Sequence, residues 1–308
     1  MFKVFIDGSA GTTGLRILER LSLRQDIELI TLGESERKQT EKRREALNSS
    51  DISFLCLPDA AAVEAVSLVD NPDTAIIDTS TAHRVNDGWV YGFAELTGLR
   101  ERIASSKRIA NPGCHASGFI SLVAPLREQG ILDGEAMLNC FSLTGYSGGG
   151  KKMIADYESD NRDTLLCSPR QYGLTQCHKH LPEMKKMCSL YYNPIFCPIV
   201  ADYFSGMQVT VSLFKEQIKG NIDDIKQVYS SYYRNGLVRY VESADENGFL
   251  ASNNLSGYDS MEISVFGNAD RILLVSRFDN LGKGASGAAI QNMNLLMGVD
   301  EATGLNIK

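Results

Sequence analysis

The 308-residue sequence predicts an α/β fold: a doubly wound, mostly parallel sheet over its first third, followed by a second, α+β domain. Three observations carry that prediction. Short apolar runs alternate with helical stretches from residue 3 to about residue 80. Some of those runs are almost unbroken by polar residues, as expected when both faces of a parallel sheet are covered. From about residue 115 the strands lengthen and pair as hairpins with helices gathered to one side. The expected division is residues 1–114, completed by a C-terminal helix within 285–308, and residues 115–284.

The elements follow in order. "KVFID" (3–7) reads as a strand, and "TTGLRILERLSL" (12–23) as a helix with Leu15, Leu18 and Leu21 or Leu23 on one side. "IELITL" (27–32) is the second strand, and the polar 37–50 segment is helical or looped. "DISFLCLP" (51–58) is a near-continuous apolar strand, "DAAAVEAVSLV" (59–69) a helix with Asp59 in the N-cap position, and "TAIIDTS" (74–80) another strand. An amphipathic helix with Phe119, Ile120, Val123 and Leu126 at helical spacing follows Cys114. Longer strands are expected at 136–145, 206–214, 261–267 and 271–279, the last two joined by a hairpin at "NAD". A helix over 221–236 ends at Asn-Gly, and the last helix, 284–298, returns to the first domain.

The net charge is −7, which argues against nucleic acid as a partner because phosphate neutralisation needs a basic surface. The amino terminus does not read as a signal peptide, and no stretch reaches the roughly 18 apolar residues that span a bilayer, so no membrane partner is expected. Seven cysteines, an odd number in a long chain, do not form a disulfide framework. A reducing cytoplasm with free thiols is the expectation. The C-x-H-x-H-x7-C spacing around His178 and His180 matches no common zinc pattern, so no metal is expected.

"FIDGSAGTTG" places Gly8, Gly11 and Gly14, with Ser9, Thr12 and Thr13, between the first strand and first helix. Glycines there let backbone N–H groups approach a pyrophosphate at a helix N-terminus. The G-x-x-G-x-x-G spacing departs from G-x-G-x-x-G, yet its position opening a β-α-β-α-β run reads as the loop of a Rossmann-type dinucleotide domain. Glu34, about twenty residues beyond Gly14, suits the 2′-hydroxyl of NAD. Ser35, Arg37 and Lys38 suit the 2′-phosphate of NADP instead, and the basic pair tilts the reading toward NADP.

In "NPGCHASG" (111–118), Pro112-Gly113 forces a turn and Cys114 opens a helix. A helix N-terminus stabilises a thiolate, and its N–H groups cradle an oxyanion on a substrate. Cys56 and Cys140 lie inside apolar strands, and the remaining cysteines lack the turn-helix setting. Cys114 therefore reads as a nucleophile. Its proton-transfer partner is sought in "CHKHLPEM" (177–184), where His178 and His180 point opposite ways if the chain is extended. His115 is set aside because neighbours on a helix splay apart. "TGYSGGGKK" (144–152) and "FDNLGKGASGAA" (278–289) place glycine and serine before helices, a setting for anions or close ligand approach.

Those segments, together with "LCLPDAAAVEAV" (55–66), "DTSTAHRV" (78–85), "GYSGGGKKMI" (145–154), "KHLPEM" (179–184) and "NLGKGASGAAIQNMNLLMG" (280–298), resemble the N-acetyl-gamma-glutamyl-phosphate reductases in their short form, along the whole length. The resemblance implies NADPH-dependent reduction of N-acetyl-gamma-glutamyl phosphate to N-acetylglutamate 5-semialdehyde in arginine biosynthesis, with phosphate released. It places the nucleophile on Cys114 and the acid/base on His180, with His178 in reserve beside the substrate. Cofactor contacts are expected from the Gly8–Gly14 loop, Ser35, Arg37, Lys38, Pro58, Ser117, Asn280 and Gly282. Substrate contacts are expected from Arg84 as a bidentate phosphate partner, Ser147 and Lys151. A homodimer or homotetramer is expected as well. The chain departs from the long form, which reads Pro-Gly-Cys-Tyr-Pro-Thr where this one reads Pro-Gly-Cys-His-Ala-Ser. The competing readings are an aspartate-semialdehyde dehydrogenase-like reductase and a non-catalytic NADP-binding regulator.

Overall fold

The computed structural model describes all of residues 1–308, in two compact units: Met1–Pro112 with Ala285–Leu305, and Gly113–Gly284 with Asn306–Lys308. In the first unit β1 (Phe2–Asp7), α1 (Thr12–Leu21), β2 (Ile27–Ile30), α2 (Thr40–Ser49), β3 (Ile52–Leu55), α3 (Asp59–Ser67) and β4 (Ala75–Asp78) alternate strictly. β5 (Val90–Tyr91), α4 (Leu99–Ala104) and β6 (Arg108–Ala110) follow. The six strands lie in the order β2-β1-β3-β4-β6-β5, and every pair is parallel. All four residues of β3 are buried, which is why its sequence shows no polar alternation. Phe5, Leu55 and Ile76 of neighbouring strands pack with Ala46, Leu47, Ala62 and Ala65 of α2 and α3.

Two local expectations are corrected. α1 buries Gly14, Ile17 and Leu21, while Leu15 and Leu23 are 42% and 86% exposed. The leucines suggested a stripe one step round from the real one, because close packing at Gly14 selects the Gly14–Ile17–Leu21 face. Asp59 is the first residue of α3 rather than its cap, which is Pro58. Its carboxylate instead accepts hydrogen bonds from the Thr81 N–H (2.9 Å) and hydroxyl (2.6 Å), tying α3 to the loop after β4.

The second unit holds α5 (Cys114–Glu128), β7 (Asn139–Gly145), α6 (Gly150–Glu158), β8 (Arg170–Gln171), α7 (Leu181–Met187), β9 (Ile195–Ala201), β10 (Met207–Phe214), α8 (Ile222–Tyr232), β11 (Val238–Tyr240), β12 (Met261–Gly267) and β13 (Arg271–Phe278). Its mixed sheet runs β11-β12-β13-β10-β7-β9-β8, with β12 and β13 forming the antiparallel hairpin. α8 is closed at its start by a reciprocal cap between Asn221 and Asp224. α9 (Gly287–Met297) then rejoins the first unit, where it packs against α4.

α5 is not amphipathic. Every residue from His115 to Leu126 is buried, so this helix is the core of its unit rather than a surface element. Burying Phe119, Ile120, Leu122, Val123 and Leu126 contributes roughly 1.5–3 kcal/mol each. A helix held on all sides presents its first residue in a fixed place. That residue is Cys114.

Candidate active site

The backbone arriving at Cys114 is extended at Gly113 (φ −77°, ψ 143°) and turns helical at the cysteine. The first intrahelical bond runs from the Ser117 N–H to the Gly113 carbonyl, 2.8 Å. The N–H groups before it lack intrahelical acceptors, as at any helix start, so the positive end of the α5 dipole lies at Cys114. The Gly113 N–H donates to Glu183 Oε2 at 3.1 Å, and Glu183 is almost fully buried. Gly284 abuts the cysteine from another side: a Cβ there would lie 3.0 Å from the Cys114 Cβ. Ser117, one turn on, has a buried hydroxyl with no hydrogen-bond partner in the protein.

Glu183 also explains how the histidines reach this place. It lies in the first turn of α7, whose N-cap is His180, so its bond to Gly113 docks the histidine-bearing turn on the cysteine's turn. The segment is a turn and not an extended chain, which corrects the opposite-facing arrangement. The His180 N–H donates to His178 Nδ1 at 3.2 Å, and the two rings lie 4.7 Å apart. Both reach His115, at 5.7 Å from His178 and 5.6 Å from His180, centroid to centroid. Phe196 packs edgewise on His115 and His178. His180 is buried and Lys179 between them is exposed.

Burial, with a smaller contribution from the neighbouring His178 charge, pushes the His115 imidazole down to about 3. Burial and then the charge of Cys114 raise the Tyr172 phenol, which places Tyr172 within electrostatic reach of the cysteine. The other thiols are set apart by the same physics. Burial lifts Cys56 to about 12 and raises Cys140 and Cys188 too, whereas Cys167 and Cys177 are exposed.

In the first unit the glycine loop lies at the carboxyl edge of the parallel sheet. Gly8 has φ +88°, and a Cβ there would come 2.3 Å from the Cys56 carbonyl oxygen. A Cβ on Gly14 would meet the Gly8 carbonyl oxygen at 2.4 Å, so only glycines let the loop fold this closely over the N-terminus of α1. Ser9, Thr12 and Thr13 are partly exposed along that loop, and Pro58 caps α3 at the same edge. Ser35 and Lys38 are exposed beyond β2; Arg37 is exposed as well and gives its Nε to the Leu32 carbonyl at 3.1 Å.

Other predicted residues have structural employment. Arg84 donates Nε to the Asn111 carbonyl (2.9 Å) and Nη2 to the Thr79 carbonyl (3.1 Å), so part of its fork braces the loops after β4 and β6. The Asn280 amide is engaged at both ends: Oδ1 accepts the Gly206 N–H (2.9 Å) and Nδ2 donates to the buried Ser147 hydroxyl (3.0 Å). Gly282 opens a π-type turn, Gly282–Ser286, packed against the Tyr258 carbonyl. Lys151 is exposed in the first turn of α6. Sequence reasoning set His115 aside and assigned no place to Tyr172, Glu183 or Gly284 beside Cys114; Glu183 carried a signal in lying three residues from His180 in the same segment.

Comparison with known proteins decides the family. The N-acetyl-gamma-glutamyl-phosphate reductases of Brucella suis (strain ATCC 23445 / NCTC 10510) and Brucella canis are each 45% identical over 306 residues, spanning 96% of this chain and 99% of theirs. The chain belongs to this reductase family. Residues 3–106 match the family model described as semialdehyde dehydrogenase, NAD binding domain, and residues 114–280 match the one described as semialdehyde dehydrogenase, dimerisation domain. Among solved structures, aspartate semialdehyde dehydrogenase II of Vibrio cholerae complexed with ASA has a TM-score of 0.72 at 15% identity, covering 96% of this chain and 98% of that one. The Candida albicans aspartate semialdehyde dehydrogenase with NADP gives 0.69 at 14%, covering 97% and 99%. At such low identity these two show the fold alone.

Proposed function

We propose that this chain is an NADPH-dependent N-acetyl-gamma-glutamyl-phosphate reductase that works through an acyl thioester on Cys114. The observation that carries the reading is the convergence of Cys114, at the start of a wholly buried helix, with the histidine turn docked on it by Glu183. The Cys114 thiolate, favoured by the α5 dipole, attacks the acyl carbon of the substrate. The bond to phosphate breaks with its electron pair, phosphate leaves, and a thioester remains on Cys114. N–H groups at the start of α5 stabilise the oxyanion, each worth about 3 kcal/mol.

The glycine loop fits a dinucleotide, since Gly8 and Gly14 let the backbone fold tightly against the N-terminus of α1, where N–H groups can face a pyrophosphate. Gly8–Gly14 would hold the pyrophosphate and Ser35, Arg37 and Lys38 the 2′-phosphate of NADP. Bound there, the reduced cofactor supplies the hydride that takes the thioester to the aldehyde level. His180 gives its proton to the carbonyl oxygen as negative charge develops, then takes it back as the carbon–sulfur bond breaks and the thiolate re-forms. Ser147, Lys151 and Ser117 are the polar groups proposed to face substrate and cofactor, with His178 orienting His180.

We further propose a homodimer formed through the outer face of the seven-stranded sheet. Phe141 and Phe214, 43% and 62% exposed, share that face with Ile195 and Leu273, a run of apolar surface suited to a second copy. The dimerisation-domain match supports it. No helix is long and apolar enough to cross a membrane, and a reducing cytoplasm suits chemistry that needs a free thiol.

The test is the reverse reaction. N-acetylglutamate 5-semialdehyde, phosphate and NADP should yield NADPH, and aspartate semialdehyde should not. Turnover of the aspartyl compound alone would assign the chain to the other activity, and binding of NADP with neither turnover would make it a sensor.

A further inference from the structure

Inside the second unit a chain of three side chains leads from the sheet to the neighbourhood of Cys114. Ser142 Oγ lies 2.7 Å from His115 Nδ1, and His115 Nε2 lies 2.7 Å from the Tyr172 hydroxyl. Ser142 and His115 are buried. Tyr172 sits just beyond β8 and feels the Cys114 charge.

The protons on this chain can be assigned by satisfaction. A buried serine hydroxyl has one proton to donate, and the bond to His115 Nδ1 is the side-chain hydrogen bond Ser142 makes. Donating there makes Nδ1 an acceptor and fixes the ring proton on Nε2. The Nε2–H then donates to the Tyr172 oxygen, which leaves the phenol's own proton for a ligand. The reverse arrangement leaves the buried serine proton without that acceptor and uses the tyrosine's proton on the histidine. The titratable groups around His115 are His178, His180 and Tyr172, with Cys114 next to it in the chain. Buried among them, the ring is neutral throughout the working range, and its lowered basicity agrees with that.

We propose that His115 is a positioning residue: locked as the Nε2–H tautomer by Ser142, it holds the Tyr172 hydroxyl so that the phenol proton is donated to the oxygen that becomes negative at Cys114. Tyr172 is then the side-chain counterpart of the helix N–H groups. The inference rests on the reductase reading, which places the oxyanion at Cys114.

Two measurements test it. In protein carrying ¹⁵N-labelled histidine, the His115 ring signals, identified by their loss in His115→Gln, should show a protonated Nε2 and a bare Nδ1 from pH 5 to 9. An Nδ1–H tautomer, or titration near the ordinary histidine value, overturns the proposal. This measurement needs no substrate, so it stands apart from the reductase reading, whose failure would appear as wild-type protein inactive on both semialdehydes. In kinetics, Tyr172→Phe should lower kcat by about 10²–10³-fold with KM within about threefold, the loss expected of one oxyanion donor. His115→Phe should cost a similar factor alone and nothing more in the Tyr172→Phe background. His115→Gln, which keeps an N–H near the Nε2 position, should recover to within about fivefold of wild type. Multiplying losses would show that His115 does not act through Tyr172. Ser142→Ala in both backgrounds makes the same comparison if His115→Phe does not fold.

Discussion

Lowering the pH from 7.5 to 5 should cost the wild-type protein about 2 kcal/mol of stability that His115→Gln does not lose. The imidazole falls from its ordinary 6.5 to about 3 on folding, because burial penalises its charged form. The unfolded chain therefore binds a proton that the folded chain refuses. Stability from this group is complete above the unfolded value and is lost as pH falls through the window between 6.5 and about 3. At pH 5 the unfolded ring lies ~1.5 units below its own pKa, and each unit is worth about 1.4 kcal/mol, which gives the ~2 kcal/mol. The assay is urea unfolding of both proteins at several pH values, comparing slopes rather than absolute stabilities. The variant will be less stable throughout, and carboxylate contributions common to both cancel in the difference. Parallel curves would refute the reasoning, for they would mean that His115 takes up its proton in the folded protein.

Other outcomes follow from the same geometry. Cys114→Ser should abolish turnover and leave NADPH affinity unchanged, read by fluorescence titration; weakened cofactor binding would contradict it. Near pH 6.5, where an ordinary thiol of pKa ~8.5 is about 1% ionised, iodoacetamide should label Cys114 ahead of the exposed Cys167 and Cys177. Earlier labelling of either would count against a stabilised thiolate. His180→Asn should slow the reaction by about 10²–10⁴-fold, and a larger loss in His178→Asn would exchange their roles. Gly8→Ala should destabilise the first unit by about 1–2 kcal/mol or more and weaken cofactor binding, since φ +88° and the Cys56 carbonyl at 2.3 Å leave a methyl no room.

The parallel sheet was legible because its cause is local. Strands such as β3 are apolar at every position, and the helices between them recur at a steady pitch. The β12–β13 hairpin was legible from its turn. The working face of α1 was not, since leucines appear on two faces and only packing at Gly14 decides between them. α5 was read as amphipathic from the spacing of Phe119, Ile120, Val123 and Leu126, although its middle turns carry no charge; its polar residues His115, Ser117 and Ser121 are buried too. Around Cys114, the turn and helix start can be read from the eight adjacent residues Asn111 to Gly118. The groups that complete the neighbourhood come from far away in the chain: Glu183 reaches Gly113 across 70 positions, and Tyr172 reaches His115 across 57. No periodicity encodes such contacts. Neighbours on a helix splay apart, so His115 does not read from the sequence as a partner of Cys114; the structure packs its ring against those of His178 and His180.

The most direct measurement is to mix wild-type protein with N-acetyl-gamma-glutamyl phosphate in the absence of any reductant and follow phosphate and protein mass together. One equivalent of phosphate should be released per active chain, and the peptide containing Cys114 should gain the mass of a single N-acetylglutamyl group, which added NADPH then removes as aldehyde. Finding no adduct, or finding the acyl group on Cys177 or another thiol while Cys114 stays free, would contradict the account at its centre.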